Sequence, residues 1–516
     1  MNYNFKHQTP NTKHQTCPTY TLKSSCYCNQ NLFFFRILFF SSFIRSLLFS
    51  SLFLVFAVTF ILFFSSNSYA LSAYTTNVIH GNEPYLTFDK GHTKVNDMSY
   101  LLSISLSDGR EFTKETNNST ATSPIELPNA GESFANIKML VPTNTNSIAL
   151  ISLIGTPYNY WDDDDGDGRE SEGIAITGSL NLSIVDKYNQ IVSRNQVVNI
   201  CNAPYKVTLT STSGTLKTKY GIPNNTNFIA SSAIYYITPK VIPTICYARP
   251  NLKYGSDNES DLWAGIIDFR GSVSMWNFSK GFIPQSTNPS LYNLNFPTTG
   301  ANNLYFDLEI IGSGPLKWEN VTRGGITANM RPNSTGTNVR VTLNGPVASS
   351  SQWNSSSPGR IDKPVLPQIF ELVGKDSNGN SVVKYGFKLQ KWFVNRGPNR
   401  YGDYSDVISW CNSIGYRMPM VKDLTNATCS GPWAGEHCQG GVGATPSSSG
   451  NHYQRVIGAG FFSEWGYMAD YLGTNFDYID YWTSDFGKNY LIVHAGPGYI
   501  WWSENNYKSN VVCVIP

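Results

Sequence analysis

Apolar and polar residues alternate through much of the chain between Leu71 and Val383. Leu304, Phe306, Leu308 and Ile310 are interleaved with Tyr305, Asp307 and Glu309; Val339, Val341 and Leu343 with Arg340 and Thr342; Tyr205, Val207 and Leu209 with Lys206, Thr208 and Thr210. A period of two places alternate side chains on opposite faces, so these segments predict strands that bury one face only. Turn clusters such as Thr298-Thr299-Gly300, Asn333-Ser334-Thr335-Gly336 and Asp376-Ser377-Asn378-Gly379 separate them, which favours stacked antiparallel sandwiches over a parallel sheet. A Ser/Pro-rich connection over 349–367 leads to a last strand pair at 369–373 and 382–387. Helical spacing appears at Val407, Ile408, Cys411 and Ile414, with Gly415 as a C-cap, and predicts a helix over 404–414. A shorter helix is expected over 420–427 after Pro419, and strands over 481–484, 490–493 and 511–514.

A different pattern opens the chain. Lys6, Lys13, Lys23, Arg36 and Arg45 precede an uncharged apolar run from Ser46 to Phe64, and Ser68-Tyr69-Ala70 then offers a small-x-small cleavage site. This is the layout of an export signal. The run is also long enough to span a bilayer, which takes roughly 20 residues, so an uncleaved signal anchor is the alternative. Either way, the residues after 70 leave the cytoplasm, and membrane contact is confined to the N-terminal segment.

Charge and cysteine content follow from that division. Removing the five basic residues of 1–70 from the 38 leaves 33 basic against 36 acidic residues, with no basic stripe, which excludes nucleic acid as the expected partner. Three of the nine cysteines fall in the first 70 residues, leaving six, an even number without zinc-motif spacing. The expected pairs are Cys201 with Cys246, joining two strands of one domain; Cys411 with Cys513, closing the terminal domain end to end; and Cys429 with Cys438, pinning a surface loop.

Two helices, a cystine across the ends and short strands together describe a C-type lectin-like module. The fold class is therefore mainly β: antiparallel β-sandwich (Ig-like) domains followed by an α+β C-type lectin-like domain. The division expected is 1–70 signal peptide or anchor, 71–300 β-rich adhesion region, 301–383 Ig-like sandwich and 384–516 lectin-like domain.

Several strings carry a family resemblance. Ile414-Gly415-Tyr416-Arg417-Met418-Pro419, Thr425-Asn426-Ala427-Thr428-Cys429, Phe461-Phe462-Ser463-Glu464-Trp465-Gly466, Tyr481-Trp482-Thr483-Ser484 and Val511-Val512-Cys513 resemble the C-terminal lectin-like domain of invasin and intimin-type bacterial adhesins. Upstream, Ala203-Pro204-Tyr205-Lys206-Val207-Thr208-Leu209-Thr210-Ser211, Cys246-Tyr247-Ala248-Arg249-Pro250 and Asn295-Phe296-Pro297-Thr298-Thr299-Gly300 resemble the adhesion region named for invasin E. The resemblance covers roughly residues 80 to 516. It implies binding of a host or cell-surface receptor, protein or glycan, by an exported adhesin displayed at the cell surface or outer membrane or secreted. Such proteins commonly carry an N-terminal β-barrel and repeated immunoglobulin-like domains, whereas here the signal passes almost directly to the adhesion region, so a periplasmic or structural remnant is the rival reading. A calcium-independent carbohydrate-binding protein is a third.

Candidate contact residues come from the aromatic density between Phe461 and Tyr507: Trp465, Tyr481, Tyr499, Trp501 and Trp502. Tryptophan and tyrosine dominate binding hot spots because they bury much area with few rotatable bonds. Trp482 is expected to pack in the core, and at least one of the adjacent Trp501 and Trp502 to point outward. The strongest ligand motif is acidic. Asp163, Asp165 and Asp167, followed by Gly168, form D-x-D-x-D-G, the first half of a calcium loop. Ile174 stands where the bidentate Glu would be, so this is not an EF-hand; calcium held by a loop between strands and a solvated acidic turn are the two readings. No Glu-Pro-Asn or Gln-Pro-Asp string supports calcium-dependent sugar binding.

Catalysis is not expected. G-x-S-x-G, H-E-x-x-H and phosphate-binding glycine loops are absent, and His80, His92, His437, His452 and His494 are scattered along the chain. No catalytic residue and no cofactor other than the candidate calcium is assigned.

Overall fold

In the computed structural model the described residues are 80–95, 98–164, 173–255, 267–398, 401–431 and 433–515; the expected signal over 1–70 lies outside them. Alternation works as expected in the strand Tyr205–Ser211, where Tyr205, Val207 and Leu209 are buried between half-exposed Lys206, Thr208 and Thr210. It is the centre of a five-stranded sheet ordered Ile125–Glu126, Ser231–Thr238, Tyr205–Ser211, Ser179–Val185, Ser147–Ala149. Its three central strands run antiparallel, and Leu180, Leu182, Tyr235 and Ile237 join the same buried face. This apolar core runs from Leu86 to Ile237.

A second core begins at Ile245 and continues without a break to Val514. Here a seven-stranded sheet, whose centre is Thr244–Arg249, Tyr305–Ile311, Asn338–Asn344 and Ile326–Pro332, shares its apolar core with the hairpin Gln368–Lys375 and Ser381–Leu389. Phe306 meets Phe387 edge to face at 6.0 Å, and Phe387 stacks on Phe370 at 5.0 Å.

Two expectations about organisation are corrected. The boundary at 300/301 falls inside the strand Thr299–Ala301, which pairs in parallel with Lys391–Asn395; that strand in turn pairs with Val512–Val514. The apolar cores divide between Ile237 and Ile245 instead. Cys201 sits in the one-turn 3₁₀ helix Ile200–Asn202 and bonds to Cys246 in Thr244–Arg249. This disulfide therefore joins a 3₁₀ turn to a strand and not two strands, and its two cysteines pack with Tyr247 in a small cluster apart from both cores.

The terminal region is α+β. Tyr404–Ser413 is a helix capped by Asp403, whose carboxylate accepts from the Asp406 amide at 3.0 Å. Val407, Trp410, Cys411 and Ile414 face the core while Ile408 is exposed, and Gly415 takes φ +86° to end the helix. The second helix is only Val421–Leu424. It stops because Thr425 and Asn426 are drawn into buried bonds, the Thr425 hydroxyl donating to the Gly498 carbonyl at 2.8 Å and the Asn426 amide to Ser463 Oγ at 3.2 Å. Cys411–Cys513 ties the first helix to the last strand across 102 residues, and Cys429–Cys438 closes a loop of nine. A five-stranded sheet, ordered Tyr401–Gly402, Ser509–Asn510, Asp480–Phe486, Tyr490–His494, Ile500–Ser503, completes the unit. The chain is thus mainly β, with antiparallel sandwich layers followed by an α+β terminal region. Among the described residues no helix is long and apolar enough to cross a membrane.

Candidate functional site

The edge strand Ile500–Ser503 buries Ile500 and leaves Trp501 37% exposed and Trp502 half-buried. The loop closed by Cys429–Cys438 packs against it. That loop supplies Trp433, Ala434 and His437, and together with Tyr478, His494, Pro497, Tyr499 and Trp501 they line a cavity of about 480 Å³. Its floor includes two buried rings from far earlier in the chain, Tyr254 and Phe269.

The rings are held by one another. His437 stacks on Trp501 with centroids 4.2 Å apart, and Trp502 donates its indole N–H to His437 Nδ1 from behind. His494 stacks on Tyr499 at 4.9 Å and meets Tyr478 edge on at 4.7 Å, while Trp433 meets Tyr499 edge on at 5.9 Å. The hydroxyls of Tyr254 and Tyr478 are 2.9 Å apart and hydrogen-bonded. The Gly496 amide donates to His494 Nδ1 at 3.0 Å, and burial holds that imidazole below its ordinary pKa, against the pull of Asp480. Burial pushes the Tyr499 phenol up.

Local backbone makes the arrangement possible. A Cβ on Gly496 would lie 2.1 Å from Cε2 of Tyr478, so only glycine lets that ring lie across the turn. Trp433 and Tyr254 adopt φ +62° and +55°, a region that bulky side chains avoid at a cost of order 1–3 kcal/mol each.

Tyr254 and Phe269 reach the terminal region because the chain around them is clamped to it. Fully buried Arg455 donates to the carbonyls of Asn251 at 2.9 Å and Glu464 at 3.0 Å, and its guanidinium lies 4.3 Å over Trp276. Its own amide donates to the Phe269 carbonyl at 2.9 Å. Glu464 fastens the other side, accepting from the amides of Thr298, Thr299 and Gly458 and from both threonine hydroxyls. Burial pushes this carboxyl up and the donors pull it back.

Of the five expected contact residues, Tyr499 and Trp501 line the cavity and Trp502 supports it. Trp465 and Tyr481 are corrected: both are buried in the core and out of reach of a receptor. Trp465 donates its indole N–H to the Thr299 carbonyl at 3.1 Å and packs on Phe296, while Tyr481 Oη accepts from the Asp477 amide at 3.0 Å. Trp482 is buried as expected, bonded to the Gly402 carbonyl at 3.0 Å. Sequence reasoning missed Trp433, His437, Tyr254 and Phe269. The available signal for the first two was their position within the short Cys429–Cys438 loop.

Asp163 lies in a buried position, but 165–168, with Asp165 and Asp167, are outside the described residues. Neighbouring Asp164 accepts from the Tyr85 hydroxyl at 2.6 Å and pairs with Lys94. Among the described residues no group of three or more His, Cys, Asp or Glu is placed to hold a metal ion. Among the described residues, those lining the aromatic cavity include no carboxylate.

No protein-family model and no curated protein sequence matches the chain. Solved structures overlap it in part. One is the crystal structure of invasin, described as a bacterial integrin-binding protein, with 14% identity over 67% of this chain and 52% of that one and a TM-score of 0.31. Another is a C-terminal 282-residue intimin fragment in complex with the intimin-binding domain of the translocated intimin receptor, at 12% identity, 68% and 89% coverage and TM-score 0.28. A third, a mutant intimin of EHEC O157:H7, has 13% identity, 43% and 88% coverage and TM-score 0.23. The match to this chain therefore spans about half the length of invasin. Superpositions of this extent describe a partial likeness, and the functional reading rests on the residues of the site.

Proposed function

We propose that this chain is an exported adhesin that binds a host or cell-surface receptor, protein or glycan, through its terminal region and without catalysis. The observation that carries the reading is the partly exposed aromatic cavity, built from rings on the disulfide loop, the edge strand and the Tyr254–Phe269 segment. Large rings of limited rotamer freedom, held on a cross-linked frame, bind with little ordering cost. Three disulfides suit an oxidising compartment, and the resemblance to invasin and intimin-type strings agrees with display at the cell surface or outer membrane.

Antibody labelling of intact producing cells, paired with binding of the purified full chain to cultured cells, tests the reading. Labelling without permeabilisation and saturable cell binding are expected. Labelling only after permeabilisation, with no cell binding, would overturn it in favour of a periplasmic or structural protein.

A further inference from the structure

The cavity narrows the class of ligand. Among the described residues its lining contains no Asp, Glu, Lys or Arg, so these walls offer an ionised ligand no counter-charge for its lost hydration. Its volume of about 480 Å³ falls within the roughly 300–1,000 Å³ of small-ligand sites and is small for a macromolecular interface. Aromatic faces are electronegative and attract polarised C–H groups laid against them. Yet the lining is not simply greasy: His437, His494, Tyr478 and Tyr499 bring ring nitrogens and hydroxyls that donate and accept hydrogen bonds. An aliphatic or phenyl anchor from a protein would strip water from those groups and return no hydrogen bond, an unfavourable exchange. A pyranose ring presents C–H groups on its faces and hydroxyls around its edge, which matches rings and polar atoms together.

We propose that the cavity between Trp433, Trp501 and Tyr499 on one side and Tyr254 and Tyr478 on the other binds a neutral sugar residue of a cell-surface glycan, without calcium. The inference rests on the receptor-binding reading and specifies its ligand. The site is composite. Arg455 and the Tyr254–Tyr478 hydroxyl pair hold the earlier segment against the terminal region, so the floor is absent from a fragment that starts after Phe269. Left-handed backbone at both Trp433 and Tyr254 places two bulky rings in an unfavourable conformation around the same cavity. Such backbone persists where the surroundings over-determine it, commonly at ligand sites. The cystine Cys429–Cys438 restricts the loop that carries Trp433 and His437, so less freedom is lost when a ligand arrives. Burial also keeps His494 below its ordinary pKa, in keeping with an uncharged partner.

The test is an array of neutral oligosaccharides ending in glucose, galactose, mannose or N-acetylhexosamines, with sialylated counterparts, probed with the full chain with and without EDTA. Binding to a neutral set, unchanged by EDTA, is expected. Trp501→Ala and Trp433→Ala should each lower it at least tenfold with the melting temperature retained, whereas Trp501→Phe, which keeps a ring face, should retain most of it. A blank neutral set, binding confined to sialylated glycans, or loss in EDTA would overturn the proposal. Cell binding separates it from the broader reading. Binding that survives periodate oxidation of cell-surface sugars but not trypsin points to a protein receptor and defeats the glycan assignment alone.

Discussion

Trp502 donates its indole N–H to Nδ1 of His437, and the same imidazole lies 4.2 Å from Trp501 in a parallel stack. One tryptophan thus orients the histidine and its chain neighbour is covered by it. The relationship arises because Ile500–Ser503 is the edge strand of its sheet. At its open edge the Asn451 side chain donates to the Ile500 carbonyl at 2.9 Å and accepts from the Ile500 amide at 2.7 Å in place of another strand, and the Cys429–Cys438 loop packs against the strand.

Replacing Trp502 by Phe keeps a ring in place but removes the donor to His437. Loss of one such bond is expected to cost about 1 kcal/mol, and to weaken cell binding severalfold while the thermal midpoint falls by only a few degrees. Binding isotherms beside thermal melts check it; unchanged binding would separate His437 from the site.

The disulfides should divide by role. Removing Cys429–Cys438 with serines releases a short loop, about 2–3 kcal/mol by chain entropy, whereas removing Cys411–Cys513 releases a long one, about 4–5 kcal/mol. The first variant should lose binding with the smaller change in unfolding midpoint, and the second should lose both. Equal effects on stability would argue against a binding role for the loop.

Glu464→Gln tests the joint between the terminal region and the strand Thr299–Ala301. The buried carboxylate meets only donors there, from Thr298, Thr299 and Gly458. A carboxamide turns an N–H₂ group towards them, so a loss of about 2–4 kcal/mol is expected in urea unfolding. An unchanged midpoint would mean that the joint is carried elsewhere.

Acidification should destabilise the fold through His452 and His494. Burial lowers both pKa values below the ordinary histidine value, with Asp268 and Asp480 respectively pulling the other way. The unfolded chain then binds more protons, so stability is full above about pH 6.5 and falls as pH drops through the lower folded-state values. Urea midpoints at pH 7.5 and 5.5 measure the drop, and His452→Gln should shrink it. A midpoint that rises on acidification would contradict the sign.

We propose calcium for the acidic loop. Its binding to the folded state should raise the melting temperature as calcium is added, and Asp163→Asn, Asp165→Asn and Asp167→Asn combined should abolish the rise. Lys94 already offsets part of the negative charge through Asp164. No calcium response in the unaltered chain would favour the solvated turn.

The strands at Tyr205–Ser211, Tyr305–Ile311 and Asn338–Asn344 were legible because a half-buried strand must alternate, and alternation is a local property. The helix at Tyr404–Ser413 was legible in the same way; an even number of exported cysteines without zinc spacing marked them as oxidised, and the three expected pairs are those of the structure, although parity alone does not select partners. Long-range pairing decided the rest. Thr299–Ala301 belongs with Lys391–Asn395 because its partner comes from the terminal region, and Cys201–Cys246 joins a 3₁₀ turn to a strand in a small cluster of its own. Residue type could not sort the aromatics either, since cores and binding surfaces both favour rings. Trp465 and Tyr481 are core because the helix and inner strand that carry them are covered on both sides, whereas Trp501 is partly exposed because it points from the face of its strand opposite to buried Ile500. The sequence alone determined an oxidised, aromatic-rich β-chain; the meeting of Tyr254 and Phe269 with Trp433 and Trp501 exists only once distant segments pack, because no local pattern encodes which exposed rings will share a cavity.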